Sequence, residues 1–361
     1  MFSCARITTF RAFARPSVAS RSLATVSAGN VDTSGIPIVD FANFGSLSFA
    51  QRRETARQVV DGFKSTGFVY LGNHGISEKV VQEAFKRSDE FFQLPFEKKQ
   101  ALAWEDPRSN RGYVQLGRER VTNSQDETEI ARLRASAPDY KESMEIGRDW
   151  SSTWKNMWPH ESDVPGFRAF MLEFFQTCHE LHVRVMRAVA LGLDLQENFF
   201  QDKINAQDHN LRLLHYPAIK TDLLHNDGQA RAGAHTDYGT VTLLFQDPVG
   251  GLQVQNPTTK EFAPAPPIPG TVIINAADLL ARWSNDLFRS TLHRVVAPPF
   301  KPINEGEGII PKRQSIAFFC NPNFNAEISC LPHCFGPGNP KKYDPVTTEE
   351  YIVRRLRETY L

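Results

Sequence analysis

The spacing of apolar residues predicts mainly helices in the first half of the chain and strands in the second. Residues 49–64 and 77–94 place their apolar side chains at helical intervals. Residues 164–192 do so for long enough to predict one long amphipathic helix that ends at Gly192. The run FVYLG at 68–72 is rich in β-formers and predicts a strand between the first two helices.

Residues 211–330 have a different period, because short β-branched runs alternate with clusters of Gly, Pro and Asn. Such runs are typical of strands joined by tight turns, and their number predicts an all-β barrel or a two-sheet jelly roll. The proline-rich stretch 256–269 cannot be a central strand. The runs read LRLLHY, TVTLLF, LQVQ, TVIINA, HRVV and SIAFF.

Two further stretches are interpreted from local signals. Residues 105–163 are polar with few periodic runs, which predicts loops and short turns, including Lys141 and Glu142. Near the end of the chain, Thr347 and Glu350 have the spacing of a capping box, which predicts a last helix that runs to Arg357.

The composition argues against several classes of protein. The 361 residues suffice for one large or two small domains, and the 41% hydrophobic content is ordinary for a globular protein. No apolar run approaches the ~20 residues that span a bilayer, and a net charge of zero without a basic stripe argues against a nucleic-acid partner. The five cysteines, an odd number without a regular framework, indicate a reducing compartment.

The first 30 residues differ from the rest of the chain. They contain Arg6, Arg11, Arg15 and Arg21 and no acidic residue, which leaves 37 basic against 41 acidic residues in the body. With their Ser, Thr and Ala content and a largely aromatic apolar side, they have the pattern of a mitochondrial transit peptide. We therefore expect residues 1–30 to direct the protein to the mitochondrial matrix. The alternative is that they form a tail without a targeting function on a cytoplasmic protein.

One candidate metal site lies in the strand-rich half. His235 and Asp237 are two residues apart at a strand end, so that both side chains point to the same side. His293 also enters a strand. Two imidazoles and one carboxylate are the facial triad of non-haem Fe(II) oxygenases, which leaves about three positions open on an octahedral ion. A structural zinc site would be closed instead.

Arg313 and Ser315 form a second candidate pair, because they share one face of a predicted strand. A guanidinium group holds a carboxylate through two hydrogen bonds, and a hydroxyl group adds a third. Other clusters have plainer explanations. We expect His179 and His182 on the long helix to be packing or surface residues, and the three cysteines after residue 319 lack the paired spacing of a zinc site.

These residues and their order resemble the iron(II)/2-oxoglutarate-dependent dioxygenases, in the branch that includes isopenicillin N synthase. The resemblance covers roughly residues 36–357. It departs from the usual pattern at Ala277, where the family has Gly, and at Leu214, where many relatives have Asn. The matching strings outside the triad are GFVYLGNHG at 67–75, RGY at 111–113, LHYP at 214–217 and NAADLLARWS at 275–284.

The resemblance implies an α+β fold with a double-stranded β-helix (jelly roll) core, an N-terminal α/β section and flanking helices. The expected divisions are the transit peptide at 1–30, an N-terminal α/β region at 31–163, a long scaffold helix at 164–200, the jelly-roll core at 201–335 and a C-terminal helix at 336–361.

The resemblance also implies roles for the candidate residues. The implied reaction decarboxylates 2-oxoglutarate to succinate and CO2 and uses O2 to oxidise a small organic molecule. Hydroxylation is the default outcome, with desaturation and ring closure as variants, and ascorbate is expected as a stimulant. His235, Asp237 and His293 are expected to bind Fe(II) and carry the chemistry, and Arg313, Ser315 and Tyr216 to hold the distal carboxylate of 2-oxoglutarate.

Two rival hypotheses remain from the sequence. An Fe(II) oxidase similar to isopenicillin N synthase would use the Arg-x-Ser pair for the carboxylate of its own substrate. A jelly-roll protein that binds a metal or ligand without turnover is the rival of another class. By position, the candidate walls of the substrate pocket are Tyr113, Phe245, Trp283 and Phe324, whose aromatic character indicates a largely apolar small molecule.

Overall fold

The computed structural model of the chain describes residues 32, 34–104, 106, 109–117, 139–220, 231–297 and 308–360. The sequence-predicted transit peptide at 1–30 lies outside these residues and stays a prediction.

The helices expected from periodicity are present. Two of them begin at serine caps, where Ser48 Oγ accepts from Gln51 N and Ser77 Oγ accepts from Val80 N. The long helix ends at Gly192, as predicted, and the next turn needs a left-handed residue at Asp194 (φ 56°). The helices are α1 (Phe49–Ser65), α2 (Glu78–Phe92), α3 (Phe96–Gln100), α4 (Phe167–Gly192), α5 (Gln201–Ile204), α6 (Asp278–Trp283) and α7 (Thr348–Tyr360), with a 3-10 turn at Phe41–Gly45.

The six runs expected to be strands all form strands. The strands are β1 (Ile38–Asp40), β2 (Phe68–Gly72), β3 (Gly112–Val114), β4 (Glu142–Gly147), β5 (Asn210–Tyr216), β6 (Ile219–Lys220), β7 (Ala232–His235), β8 (Val241–Gln246), β9 (Leu252–Gln255), β10 (Phe262–Pro264), β11 (Thr271–Ala276), β12 (His293–Val295), β13 (Ile309–Ile310), β14 (Arg313–Cys320), β15 (Glu327–Ile328) and β16 (Val346–Thr347).

Two sheets form the jelly roll. The main sheet has eight strands in the order β1-β2-β11-β8-β14-β5-β4-β3, and the minor sheet has four in the order β10-β9-β12-β7. Strands that precede residue 163 occupy four of the eight positions in the main sheet. The N-terminal α/β section is therefore continuous with the jelly roll, and the division expected near residue 163 does not separate two layers.

The interpretation of 105–163 as loops was wrong at β3 and β4. β4 pairs with β5 along its whole length, from Glu142 opposite His215 to Gly147 opposite Asn210. Its apolar residues Met144 and Ile146 are fully buried on one face of the sheet. Glu142 begins the same face, and the other face carries Ser143, Glu145 and Gly147. Acidic residues and glycine are poor strand formers, and this composition concealed the alternation.

Alternation along the main strands separates two environments. On β8, Val241, Leu243 and Phe245 belong to the large core beneath helix α4. The rings of Phe174 on α4 and Phe245 have centroids 5.5 Å apart, and each buried ring of this kind contributes about 1.5–3 kcal/mol. The opposite face of β8 points toward the minor sheet. The space between the two sheets is therefore where polar side chains from both can meet.

The C-terminal helix α7 begins with the predicted capping box. Thr347 N donates to Glu350 Oε2 (3.0 Å), and Glu350 N donates to Thr347 Oγ1 (3.3 Å). The helix packs on α6 through Tyr351 Oη and Arg355 Nη1, which lie 3.0 and 3.1 Å from the carboxylate of Asp278. In the part of the chain that the structure describes, no helix has the length and apolar content of a membrane span.

Candidate active site

Polar side chains of both sheets converge in a cavity between them. Both sheets and the segment before β4 contribute to its wall, and apolar residues separate the polar ones. The cavity is lined by Phe68, Lys141, Arg212, Leu214, Tyr216, Ala232, His235, Asp237, Thr242, Leu244, Leu252, Asn275, His293, Val295, Arg313, Ser315, Ala317 and Phe319.

Antiparallel pairing of β7 and β12 brings the two predicted imidazoles together. His235 and His293 are opposite each other in the minor sheet, with ring centroids 4.3 Å apart. Asp237 follows two residues after His235, and its Oδ1 lies 3.9 Å from His235 Nε2 and 3.7 Å from His293 Nε2. The three ligand atoms lie within 4.8 Å of one another. The structure therefore assembles the group that the sequence predicted.

Hydrogen bonds aim one atom of each side chain at the common centre. Nδ1 of His235 lies 2.7 Å from Gly233 O, and Nδ1 of His293 lies 3.2 Å from Thr291 O. A carbonyl oxygen can only accept, so each Nδ1 carries the proton and each Nε2 keeps its lone pair.

The carboxylate of Asp237 is oriented in the same way. Its Oδ2 accepts from Thr242 Oγ1 (2.6 Å) and from Asn275 Nδ2 (2.8 Å). The other carboxylate oxygen, Oδ1, faces the two imidazoles. Conformational freedom is thus removed from all three side chains before any ion binds, which lowers the cost of binding.

The protonation states also suit a cation. Burial lowers the pKa of His235 to about 3, with His293 as the next cause. Burial raises the pKa of Asp237, but the two imidazoles and the hydrogen bonds from Thr242 and Asn275 more than offset this and hold it below its ordinary value. At neutral pH the site therefore presents a neutral His235 and an ionised Asp237, as metal binding requires.

A second group of three potential ligands lies elsewhere, at His179, His182 and His209. These residues are buried between α4 and the main sheet. Of the two roles expected for His179 and His182, packing or surface, the structure shows packing. Their hydrogen bonds decide what they can do. Asn321 N donates to His209 Nδ1 (3.0 Å), so a neutral His209 carries its proton on Nε2, which donates to His179 Nδ1 at 3.0 Å.

His179, His182 and His209 are called the core group. The third imidazole of this group, that of His182, is held by a threonine. Thr240 Oγ1 donates to Cys320 O (2.9 Å) and so accepts from His182 Nε2 at 3.1 Å. Nδ1 of His182 keeps a lone pair but has no hydrogen-bond partner. Only His182 could therefore offer its lone pair without breaking a bond, and the core group is a hydrogen-bonded network of neutral imidazoles.

Arg313, Ser315 and Tyr216 meet at the other end of the cavity wall. Arg313 lies opposite Tyr216 across the β14–β5 ladder, with its guanidinium carbon 4.8 Å from the centroid of the Tyr216 ring. Arg313 Nη1 lies 3.1 Å from Ser315 Oγ, and Nη2 lies 3.4 Å from the side-chain oxygen of Gln246. The three residues predicted to act together are thus adjacent.

The charge of Arg313 is notable for what surrounds it. Its side chain is 1% exposed, and among the described residues no carboxylate forms an ion pair with it. Nε of Arg313 has no hydrogen-bond partner. A buried guanidinium group without an anion is costly, and a carboxylate ligand would satisfy it.

Three residues that line the cavity, Lys141, Arg212 and Phe319, were not predicted as site residues from the sequence. Lys141 Nζ pairs with Asp139 Oδ2 (2.8 Å), and both side chains are almost completely buried. Arg212 Nε pairs with Glu145 Oε1 (2.7 Å) and its guanidinium carbon lies 5.1 Å from the centroid of the Phe319 ring. The signal for Phe319 and Arg212 was present, since they share strand faces with Ser315 and Tyr216 at intervals of two residues.

The four aromatic residues proposed as pocket walls do not line this cavity. Phe245 points to the opposite face of β8, and Tyr113 is buried in the core with its hydroxyl group 2.5 Å from Glu142 Oε2. Trp283 packs on Phe200 with centroids 5.3 Å apart, and Phe324 packs against the same core. That assignment was wrong because aromatic character does not reveal which face of an element a residue occupies.

Two family models match the chain. Residues 36–161 match the N-terminal model of non-haem dioxygenases in morphine synthesis, and residues 207–322 match the 2OG-Fe(II) oxygenase superfamily. The second match contains both strands that carry the imidazoles.

Curated relatives and solved structures agree with these models. The 2-oxoglutarate-Fe(II) type oxidoreductase ppzD of Metarhizium rileyi is 36% identical over 89% of this chain and 90% of its own length. The proline hydroxylase buaE of Petromyces alliaceus is 33% identical over 89% of this chain and 98% of its own. The crystal structure of a full-length Neurospora crassa protein in complex with alpha-KG and thymine superposes with a TM-score of 0.83 and 45% identity, covering 92% of this chain and 99% of that one.

Proposed function

The chain belongs to the Fe(II)- and 2-oxoglutarate-dependent oxygenases, and we propose that His235, Asp237 and His293 are the residues that hold its iron. The protein is a dioxygenase whose cofactor is Fe(II) and whose cosubstrate is 2-oxoglutarate. The observation that carries the assignment is the orientation of the triad. In each of the three side chains one polar atom already has a hydrogen-bond partner, and the other polar atom faces a common centre.

The bound iron supplies the activation of O2 that couples decarboxylation of 2-oxoglutarate to oxidation of the substrate. The residues of the chain provide the conditions for this. His235, Asp237 and His293 would hold the ion through three ligand atoms and would leave room beside it for the cosubstrate and O2. The apolar wall, including Phe68, whose ring centroid is 5.6 Å from that of His293, limits the access of water to the centre.

We assign Arg313, Ser315 and Tyr216 to the distal carboxylate of 2-oxoglutarate. The fork of Arg313 fits a carboxylate bidentately, and Ser315 Oγ is already 3.1 Å from Nη1. Among the described residues no carboxylate is in ion-pair contact with Arg313, and Asp247 acts on its charge only through space. The cosubstrate would provide this contact and would be held with its other end toward the triad.

For the substrate we propose a compact planar heterocycle with carbonyl groups, such as a pyrimidine base. Phe319 offers a ring for stacking, next to the guanidinium group of Arg212. Arg212 and Lys141 each have a buried carboxylate partner, so their positive charges are already offset. This arrangement favours a neutral carbonyl acceptor over a second anion. Thymine is bound in the Neurospora crassa structure, which supports the class.

The test of the cosubstrate assignment is an anaerobic titration of the Fe(II)-loaded protein with 2-oxoglutarate, followed by the metal-to-ligand charge-transfer band. We expect a saturable band whose half-saturation concentration rises at least about 30-fold in Arg313→Gln, which corresponds to about 2 kcal/mol for an interaction with a buried charge. Iron-bound protein without a band would contradict the assignment.

The substrate proposal is tested by succinate formation in air with thymine or free proline as the added compound. We expect thymine to accelerate succinate formation and to be converted, and Phe319→Ala to lose this acceleration while it keeps the slow uncoupled reaction. Acceleration by proline but not thymine would replace the proposed substrate class with amino acids.

We also propose that the mature enzyme acts in the mitochondrial matrix, from the arginine-rich, acid-free composition of residues 1–30. The test is the location of a fluorescent fusion of the full chain. Replacing the four arginines of this segment by Gln should leave the fusion in the cytosol. Unchanged location in that variant would reject the targeting role.

A further inference from the structure

Arg231 is a second buried guanidinium group beside the cosubstrate residues. Its side chain is 0% exposed, and no carboxylate of the described residues forms an ion pair with it. It donates instead to main-chain oxygens, from Nη2 to Pro217 O (2.6 Å) and from Nη2 and Nη1 to Pro311 O (3.1 and 3.2 Å). A longer bond of 3.4 Å reaches Tyr216 O.

These contacts join three of the strands that carry the site. Arg231 directly precedes β7, which ends at His235. Pro217 follows Tyr216 at the end of β5, and Pro311 lies two residues before Arg313 at the start of β14. One side chain thus fixes the spacing between the end of β5 and the start of β14, where the predicted carboxylate-binding residues are located.

Arg231 also shapes the electrostatics of this corner. The ring of Tyr216 has two guanidinium carbons nearby, that of Arg231 at 5.6 Å and that of Arg313 at 4.8 Å from its centroid. Burial lowers the pKa of Arg231 to about 10, so the group remains charged at neutral pH. Asp247 acts on both cations through space, but its oxygens accept from the backbone amides of Gln314 (2.5 Å) and Val249 (3.1 Å).

We propose that Arg231 is a positioning residue for the cosubstrate, which holds Tyr216 and Arg313 at the spacing that a carboxylate needs and adds a second positive charge to that end of the cavity. The inference rests on the proposed function, because it takes the distal carboxylate of 2-oxoglutarate as the anion.

A role in filling space alone would not require a charged residue here. Burying a guanidinium group costs several kcal/mol unless it is compensated, and an apolar residue would fill the same space without that cost. Here the compensation is incomplete, since Nε of Arg231 has no hydrogen-bond partner. The surplus of positive charge around Tyr216 is what a dicarboxylate would neutralise on binding.

The experiment compares two 2-oxo acids that differ in the distal carboxylate. Binding of 2-oxoglutarate and of 2-oxovalerate to the Fe(II)-loaded protein is measured by calorimetry under argon for the parent, Arg231→Gln and Arg231→Lys. Arg294→Gln is the matched control, because Arg294 on β12 contacts Gln253 Oε1 (2.8 Å) and the Phe262 ring (4.1 Å) and no residue of the carboxylate site.

We expect Arg231→Gln to weaken the binding of 2-oxoglutarate at least about 10-fold. The change removes both a charge and the hydrogen bonds to the main-chain oxygens of Pro217 and Pro311. Binding of 2-oxovalerate should change less than about twofold, since this acid has no carboxylate at that end. Arg231→Lys should recover part of the affinity, since lysine keeps the charge but cannot donate from two nitrogens as the planar guanidinium group does. Arg294→Gln should bind both acids as the parent does.

Three results would overturn the proposal. An equal loss for both acids, or loss of iron binding in both Arg231 variants, would mean that the residue only supports the fold. Unchanged binding of 2-oxoglutarate in Arg231→Gln would mean that it has no role in the site. A parent protein that does not prefer 2-oxoglutarate to 2-oxovalerate would instead refute the assignment of Arg313, Ser315 and Tyr216.

Discussion

Within the described residues, two groups of three side chains bring together atoms that could bind a metal, and they differ in which of these atoms their hydrogen bonds occupy. The triad of His235, Asp237 and His293 lies in the cavity between the sheets, and the core group of His179, His182 and His209 lies behind the main sheet. In both groups the candidate ligand atoms are within 4.8 Å of one another. Proximity alone therefore does not distinguish them.

The partners outside each group make the difference. In the triad, carbonyl oxygens occupy both Nδ1 atoms and two donors occupy Asp237 Oδ2, so the lone pairs that remain converge. In the core group, a backbone amide occupies His209 Nδ1 and thereby places a proton on the nitrogen that faces His179. The core group also contains no carboxylate to offset the charge of an ion. A metal site is therefore recognised by which lone pairs the neighbouring groups leave free.

Removal of one imidazole from each group should have the largest effect on this comparison. We expect His293→Ala to lose iron and at least about 10³-fold of succinate formation, because the ion would keep only two protein ligands. His182→Gln should keep one iron per chain and nearly the parent rate. The iron content of the parent and of both purified variants is measured by metal analysis. A second iron in the parent that is lost in His182→Gln would contradict the assignment of the core group.

Two buried threonines offer a finer test, since Thr242 donates to Asp237 Oδ2 and Thr240 accepts from His182 Nε2. The change to Val is nearly isosteric in both. Thr242→Val should weaken iron about 10-fold or more, as expected when a partner that orients a ligand is lost. Thr240→Val should leave iron affinity unchanged and lower the free energy of unfolding by about 1–3 kcal/mol.

The measurements are a competition titration with an Fe(II) chelator and urea unfolding of the metal-free proteins. Equal effects of the two threonine variants on iron affinity would show that the hydrogen bond to Asp237 does not tune the site, and would remove the distinction drawn between the groups.

The extent to which the sequence predicted this site follows from the range of the signals. His235 and Asp237, like Arg313 and Ser315, are two residues apart on a strand, so their common direction is a local property. Lys141 was missed because it reaches the cavity only through the pairing of β4 with β5, which joins residues about 70 positions apart. Nothing within a short window of sequence encodes that register.

The error over the pocket walls has a related cause. Phe245 and Leu244 are adjacent on β8, yet only Leu244 lines the cavity, because successive side chains point to opposite faces. A choice by aromatic character ignored that parity. The same parity rule, applied from Arg313 along β14, would have selected Phe319.

The smallest effect, and the one that isolates the core group, is on the pH dependence of stability. Burial lowers the pKa of His182 to about 3 and that of His209 well below its usual value of 6.5. In the unfolded chain both regain ordinary values, so between about pH 4 and 6 the unfolded state binds more protons than the folded state. The free energy of unfolding must therefore fall as the pH is lowered through this window, by up to about 1.4 kcal/mol per pH unit for each such histidine.

Replacement of His182 by Gln removes one of these groups and should reduce the slope between pH 6 and 4 by about 1.4 kcal/mol per unit, whatever the variant loses in absolute stability. His160, which is exposed and lies outside the core group, is replaced in the same way as the control for the loss of one histidine. Urea unfolding with a chelator present keeps iron from adding its own pH dependence. If His182→Gln kept the parent slope, His182 would be protonated in the folded protein. The hydrogen-bond pattern that separates the core group from the triad would then be wrong.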